Sequence, residues 1–258
     1  MTLSSLAPIL APVLGGVLLA TTGSWRPMFW VLAGISLLLA AATVVAIPET
    51  LPADARHGGG LRATGRAFLG LARDRAFAGY ALTVAFAYAS LFGYIAGSSF
   101  ALQDVYGLSA TQFSLAFAFN AAGSIVLGLL NARLVKRYDV RRILVVGLVS
   151  STVAAVLLLV AVGAGAGLVA VLAPLFVVVA SRGLILANAT VLGIERSSAA
   201  GSASAVLGAL MFAGGVLVTP LLAAGGEGSA FPMAAVAAGG AVAALVATVL
   251  MTRTAAQG

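Results

Sequence analysis

The 258-residue sequence contains no cysteine, a single histidine and only seven acidic residues. Without cysteine there is no disulfide, no thiolate metal site and no cysteine nucleophile. With His57 alone, a histidine-based metal site is disfavoured as well. Charged residues make up 8% of the chain, against about 25% in an ordinary soluble domain. Such a chain cannot cover a water-facing surface, which leaves lipid as the solvent that suits it. No acidic residue falls inside a long apolar run. Glu49, Asp104, Glu195 and Glu227 stand at the ends of runs or in connections, and Asp54, Asp74 and Asp139 in connections. An intramembrane enzyme is disfavoured by the same shortages: no cluster of His, Asp and Glu at membrane depth, and no paired nucleophile and base.

What is abundant is apolar sequence, 62% of the residues, with a mean hydropathy of +1.14. A hydrocarbon core about 30 Å thick needs about 20 apolar residues per crossing helix. By that measure eight spans are expected, over about residues 3–20, 28–47, 77–100, 112–131, 143–163, 168–194, 200–223 and 231–251. The runs are continuous, unlike the alternating segments of about ten residues that build a membrane β-barrel. The fold class is therefore an all-α integral membrane protein. No Lys or Arg precedes the first run, so it lacks the basic start of a signal peptide; the expectation is that the natural beginning of the chain is missing.

The net charge of +7 would raise nucleic-acid binding in a soluble protein, but here the basic residues sit between apolar runs and imply no nucleic-acid partner. Residues 48–75 carry Arg56, Arg62, Arg66, Arg73 and Arg75, and residues 132–142 carry Arg133, Lys136, Arg137, Arg141 and Arg142. With Arg196 and Arg253, twelve of the fourteen basic residues fall on one side, against Arg26 on the other. The positive-inside rule then puts both termini in the cytoplasm of a multi-pass protein of the inner or plasma membrane. The expected organisation is two helices over residues 1–47, a basic cytoplasmic linker over 48–75, a six-helix bundle over 76–252 and a tail over 253–258. Residues 61–71 can form a surface helix with Arg62, Arg66 and Arg73 toward phosphate headgroups, or remain a solvated linker.

The motifs sharpen this plan. Ala11-Pro12-Val13-Leu14-Gly15-Gly16 resembles the Gly-Pro-x-x-Gly-Gly element of drug/proton antiporters, and Pro48-Glu49-Thr50-Leu51 resembles the end of their sixth helix. Tyr94-Ile95-Ala96-Gly97-Ser98-Ser99-Phe100, with Gln103, Tyr106-Gly107-Leu108-Ser109 and Phe113, is similar to the Bcr/CflA group of multidrug efflux transporters, as are Asn188-Ala189-Thr190 and residues 200–205. Residues 132–142 resemble the basic loop of the major facilitator superfamily in degraded form, with Lys136 and Asp139 departing from its pattern. The resemblance implies a major-facilitator-like fold in which the eight spans match helices five to twelve of twelve. It further implies proton-driven export of small lipophilic substrates by the complete protein, without a cofactor. The other reading is a truncated, inactive or partner-dependent membrane subunit or scaffold with no transport of its own.

Substrate selection in such a transporter falls to residues facing a midplane cavity between two halves. At 100° per residue, Phe113, Phe117, Asn120, Ser124 and Asn131 share one face of their span, opposite Leu115, Phe119, Ala122 and Val126. The first face points to cavity or protein and the second to lipid. Phe77, Val84, Tyr88 and Ile95 form a stripe with Phe92 nearby, able to stack flat lipophilic molecules or simply to pack. Tyr80 and Phe100 are candidate interfacial anchors. Arg182, in mid-span, costs about 2.5–3.5 kcal/mol on insertion scales, so it must face water, a carboxylate or carbonyls; it is a candidate to attract a polar or anionic substrate. Asn188 is a further cavity candidate, about 120° from Arg182. Gly201, Ala205, Gly208 and Ala209 suit close helix packing, and Pro12, Gly15 and Gly16 suit a bent, thin helix.

Overall fold

The computed structural model describes residues 14–15, 17–18, 21–46, 61–197, 200–224 and 229–252. It divides into two compact units, Met1–Arg62 and Ala63–Gly258. Most of the first expected span, with Pro12 and Gly16, lies outside the described residues.

In the first unit, Gly23 takes a positive φ of 64° in the turn before helix α1 (Arg26–Ala46). No residue of α1 is buried, and Trp30, Val44 and Val45 are 77%, 84% and 87% exposed. Such a helix holds its place by being soluble in hydrocarbon. Its two hydroxyls fit that setting: Ser36 donates to the Leu32 carbonyl and Thr43 to the Leu39 carbonyl, each at 2.8 Å, so neither is left unpaired toward lipid. At its start Arg26 lies over the Trp25 ring, 5.4 Å from its centroid.

Eight further helices follow among the described residues: α2 (Leu61–Arg73), α3 (Arg75–Ser99), α4 (Ala110–Leu134), α5 (Val140–Gly163), α6 (Leu168–Ala180), α7 (Arg182–Ile194), α8 (Ala200–Ala224) and α9 (Phe231–Met251). Among the described residues, seven segments are long and apolar enough to cross a membrane: α1, α3 with its extension, α4, α5, α6–α7 together, α8 and α9. Their ends are set by short polar residues. Asp74 accepts from the Ala76 and Phe77 amides at 2.8 and 3.2 Å, Ser109 and Gln112 form a reciprocal capping box, and Asp139 accepts from the Arg142 amide. Each satisfies donors that the first turn of a helix leaves open.

Three boundaries differ from the sequence expectation. The third span does not stop at residue 100 but continues as a π-helix, Phe100–Val105, where the Gln103 amide donates to Ser99 Oγ at 2.7 Å. The sixth span is interrupted at Ser181, giving α6 and α7. The basic connection is shorter than expected, because Arg133 sits in the last turn of α4 and Arg141 and Arg142 in the first turn of α5.

In the second unit α3 is central, packed against α9, α8 and α7, while α5 contacts α9, α6 and α7. Ala234, Ala237, Ala238, Ala241, Ala244 and Ala247 are all buried on α9. Their small side chains let it lie close to α3 and α5. Between helices in lipid, packing and hydrogen bonds replace the hydrophobic effect as the source of association. The bonds are present: Thr83 and Thr248 hydroxyls meet at 2.6 Å, Ser90 donates to the Ala237 carbonyl at 2.9 Å, and Thr152 to the Ala241 carbonyl at 3.1 Å. Tyr80, expected at an interface, is 2% exposed and packs with Leu71, Phe77 and Leu207 in the core. Its ring lies a turn inside the helix, where neighbours rather than headgroups surround it.

Candidate functional site

The candidate polar and aromatic groups at membrane depth fall into four clusters among the described residues, each built across helices of the second unit. The first joins α3 to α4. Asn120 Nδ2 donates to the Tyr94 hydroxyl at 3.1 Å, and Tyr94 stacks on Phe117 with centroids 5.4 Å apart and an interplanar angle of 15°. Phe113 tilts against Phe117 at 5.9 Å. Asn120 and Tyr94 are both 2% exposed, while Phe113 and Phe117 are half-buried. The amide has therefore found its partner on the neighbouring helix. The division of α4 follows the sequence pattern, with Leu115, Phe119 and Val126 at 66%, 64% and 61% exposure on the other face.

The second cluster joins α3 to α8 and is more open. Tyr88 stacks with Phe92 at 6.3 Å and meets the edge of Phe212 at 5.8 Å. Tyr88 and Phe92 are half-buried and Phe212 is 62% exposed. The ring of Phe92 reaches α8 because Gly215 offers no Cβ; one added there would stand 3.2 Å from the ring. The stripe expected along α3 is thus not one surface: Phe77 and Val84 are sealed in the core, whereas Tyr88 and Phe92 remain accessible.

The third cluster surrounds Arg182. One guanidinium nitrogen donates to the Ala87 carbonyl, another to Ser90 Oγ at 2.7 Å, and Ser90 passes the chain on to the Ala237 carbonyl of α9. Arg182 Nε is buried without a partner. The residue is 4% exposed. Of the surroundings the sequence leaves open, water, a carboxylate or carbonyls, it takes a carbonyl, together with a hydroxyl. Its guanidinium joins α7 to α3 and, through Ser90, to α9, because the long side chain reaches across the helix contact to polar atoms of α3.

In the fourth, Asn131 and Asn188 exchange amide hydrogen bonds of 3.2 and 2.8 Å between α4 and α7, and Asn188 also donates to the Leu184 carbonyl. Both are buried. Asn188 and Arg182 belong to different clusters, as their angular separation implies. Ser124 is half-buried, and its backbone carbonyl lies where a Cβ on Gly183 would stand. Close approach is the reason for Gly183: α7 meets α4 backbone to backbone, at Gly128 and Ser124. By contrast, Gly201 and Gly208, expected as packing positions, have nothing within 4 Å of the Cβ each lacks. The close contact of α8 is made by Gly214 instead, against the Ala85 carbonyl. In the first unit Gly15 stands near Met28, 3.9 Å from the position of the missing Cβ.

The basic residues gather at one end of the second unit. Arg75 donates to the Leu250 carbonyl at 3.0 Å and Arg141 to Thr252 Oγ1 at 3.2 Å, two cations at the negative end of the α9 dipole. Arg133, Lys136, Arg137 and Arg142 are exposed at the same end. No group of three or more His, Asp or Glu side chains comes together among the described residues. The sequence reading missed Ser90, Phe176 and Phe212, for which apolar periodicity carries no signal. Tyr94 was quoted only within a motif.

Comparison with known proteins agrees with this architecture. The model of the Major Facilitator Superfamily matches residues 1–220. An uncharacterized MFS-type transporter, YdgK of Bacillus subtilis (strain 168), is 31% identical over 242 residues, covering 92% of this chain and 59% of the relative. A bicyclomycin resistance protein homolog of Haemophilus influenzae is 28% identical over 229 residues, covering 88% and 57%. The chain thus spans 59% and 57% of the lengths of these relatives. With the family model covering most of its length and seven described segments able to cross a bilayer, the chain belongs to the Major Facilitator Superfamily.

Proposed function

We propose that the chain works in a Bcr/CflA-like secondary transporter that exports lipophilic drugs and other xenobiotics, in exchange for protons in the complete protein. Its helices take the places of the fifth to twelfth of twelve. The observation that carries the reading is the half-open, uncharged aromatic cluster of Tyr88, Phe92 and Phe212. Rings of this kind take flat apolar molecules by offset or edge contacts worth about 0.5–1.5 kcal/mol each beyond their burial. The likeness to a bicyclomycin resistance homolog supports drug export in particular. Phe113 and Phe117 extend the aromatic lining in this reading, Asn120, Ser124 and Asn188 supply its neutral polar groups, and Arg182 holds the helices that carry them. The basic end faces the cytoplasm. No Asp or Glu lies in the interior of a described span, so the proton-carrying carboxylate belongs elsewhere in the complete protein.

The test is dye accumulation in a pump-deficient bacterial host expressing the complete protein. Protonophore-sensitive lowering of accumulation is expected, and Tyr88→Ala should slow efflux by about 2- to 12-fold, the equivalent of one lost aromatic contact. Gradient-independent accumulation across a panel of lipophilic cations and neutral drugs would refute the reading. The second reading, a subunit that works only with a partner, is favoured by α4 and α8, whose apolar windows are only 6% and 17% buried. Co-purification with another helical membrane protein would favour it.

A further inference from the structure

On the side of α4 away from the aromatic–amide cluster, α4 and α5 both pack on the α6–α7 helix but scarcely on each other. The gap between them is a pocket of about 410 Å³. Phe119 and Val126 of α4, Ser150 of α5 and Phe176 of α6 wall it, and Ala180 and Leu184 floor it on either side of the helix break. The floor is buried, with Ala180, Ser181 and Leu184 at 4%, 2% and 9% exposure, while the rim is open.

Three features say what fits there. The first is depth: Gly123, Ser150 and Ser181, which all line the pocket, stand near the midpoints of their spans. Where the exposed apolar faces of α4 and α5 meet the bilayer, an opening at that level meets hydrocarbon and not water. The second is charge: none of the lining residues is ionisable, because Arg182, beside the floor, is turned away onto Ala87 and Ser90. The third is shape and polarity. Phe119 and Phe176 are stacked, with centroids 4.7 Å apart and an interplanar angle of 28°. Gly123 permits this, since a Cβ there would stand 2.6 Å from the Phe176 ring. Two hydroxyls accompany the rings. Ser181 donates to the Val177 carbonyl at 2.7 Å and keeps acceptor capacity, and Ser150 also lines the wall. A lipid acyl chain has no use for hydroxyls or for a flat ring face. A compact aromatic molecule with one polar atom uses both, and the volume lies in the range of roughly 300–1,000 Å³ typical of small-molecule sites.

We propose that this cleft is a bilayer-facing binding site for one uncharged, aromatic small molecule that enters from the hydrocarbon core. It is separate from the Tyr88–Phe92–Phe212 cluster and is detected by binding alone, so it stands or falls apart from the export reading.

The test uses the full chain in phosphatidylcholine nanodiscs and an uncharged aryl trifluoromethyl-diazirine bearing one benzylic hydroxyl, with labelled residues mapped by mass spectrometry. Saturable labelling is expected between Phe119 and Val126 and between Phe176 and Leu184, displaced by the same alcohol without the diazirine. Ala122→Trp fills the mouth from its exposed side. Denying the ligand even two methylene-sized volumes lowers affinity about tenfold, so labelling should fall at least that far. Val153→Trp, on an exposed position of α5 outside the pocket, should leave it unchanged. Should Ala122→Trp fail to fold, Val126→Trp occupies the same space from the rim. Labelling spread evenly along the exposed faces, or unaffected by the filling variant, would overturn the proposal.

Discussion

Arg182 offers the sharpest quantitative test of how this bundle is held together. Its guanidinium lies at membrane depth with two acceptors, the Ala87 carbonyl and Ser90 Oγ, while Nε has none. Placing arginine at the centre of a spanning helix costs about 2.5–3.5 kcal/mol. Two hydrogen bonds from a charged donor return about 1.5–3 kcal/mol each. Together the bonds return about 3–6 kcal/mol, about 1.5 kcal/mol more than the cost at the midpoints, and the unpaired Nε reduces that margin, so Arg182→Met should destabilise by no more than about 1.5 kcal/mol, despite removing a buried charge network. Ser90→Ala is different. It leaves the cation in place with one acceptor fewer and should cost about 2–3 kcal/mol. In the Arg182→Met background the same change removes only the neutral bond from Ser90 to Ala237, for which about 0.6 kcal/mol is typical within a membrane. The double-mutant cycle should therefore show a coupling of about 1.4–2.4 kcal/mol. Unfolding midpoints in mixed micelles titrated with SDS, followed by circular dichroism, measure all four variants. Equal costs of Ser90→Ala in the two backgrounds would refute the reasoning, because the guanidinium would then not depend on Ser90. Arg182→Lys provides a further check: an ammonium lacks the planar fork that reaches both acceptors, so it should be less stable than Arg182→Met.

Two other outcomes follow from the geometry. Gly183→Ala forces a methyl group into the backbone of α4 at Gly128 and Ser124 and should destabilise by about 1–3 kcal/mol, whereas Gly208→Ala, with nothing within 4 Å, should be neutral or stabilising by about 0.4–1 kcal/mol; thermal unfolding in detergent compares the pair, and a reversed order would contradict the α4–α7 contact. Because the chain has no cysteine, single cysteines report sidedness without a background: with a membrane-impermeant maleimide on intact cells, Ala164→Cys should be labelled directly and Tyr138→Cys only after permeabilisation, and the opposite pattern would invert the topology.

Much of the architecture was legible because lipid imposes a simple rule. A helix that must satisfy its own backbone over about 30 Å of hydrocarbon needs a long apolar run, and such runs are visible without knowledge of their neighbours. The two faces of α4 were legible for the same reason, since Asn120 and Asn131 cannot face lipid unpaired while Leu115, Phe119 and Val126 can. That Arg182 turns away from lipid followed from the cost of its charge. What was not legible depended on contacts between distant residues. Nothing local marks Ser90 as the acceptor for Arg182, Tyr94 as the partner of Asn120, or Phe212 as the neighbour of Tyr88. Tyr80 reads as an interfacial ring by its place near the end of a run, yet Leu71, Phe77 and Leu207 enclose it. Glycine was misleading in the same way: the small-residue pattern at Gly201 and Gly208 permits a close helix, and the neighbour came instead at Gly214 and Gly183.

By itself the sequence determined the solvent, the helical class and the approximate positions of the seven described spans, because composition and run length answer to the bilayer alone. The tertiary structure decided which polar groups meet, where α6 gives way to α7, and that a pocket opens between α4 and α5 beside Phe119 and Phe176. Those outcomes rest on side chains brought together from separate helices. In a membrane, packing and hydrogen bonding between such groups, which no single segment encodes, govern how helices associate.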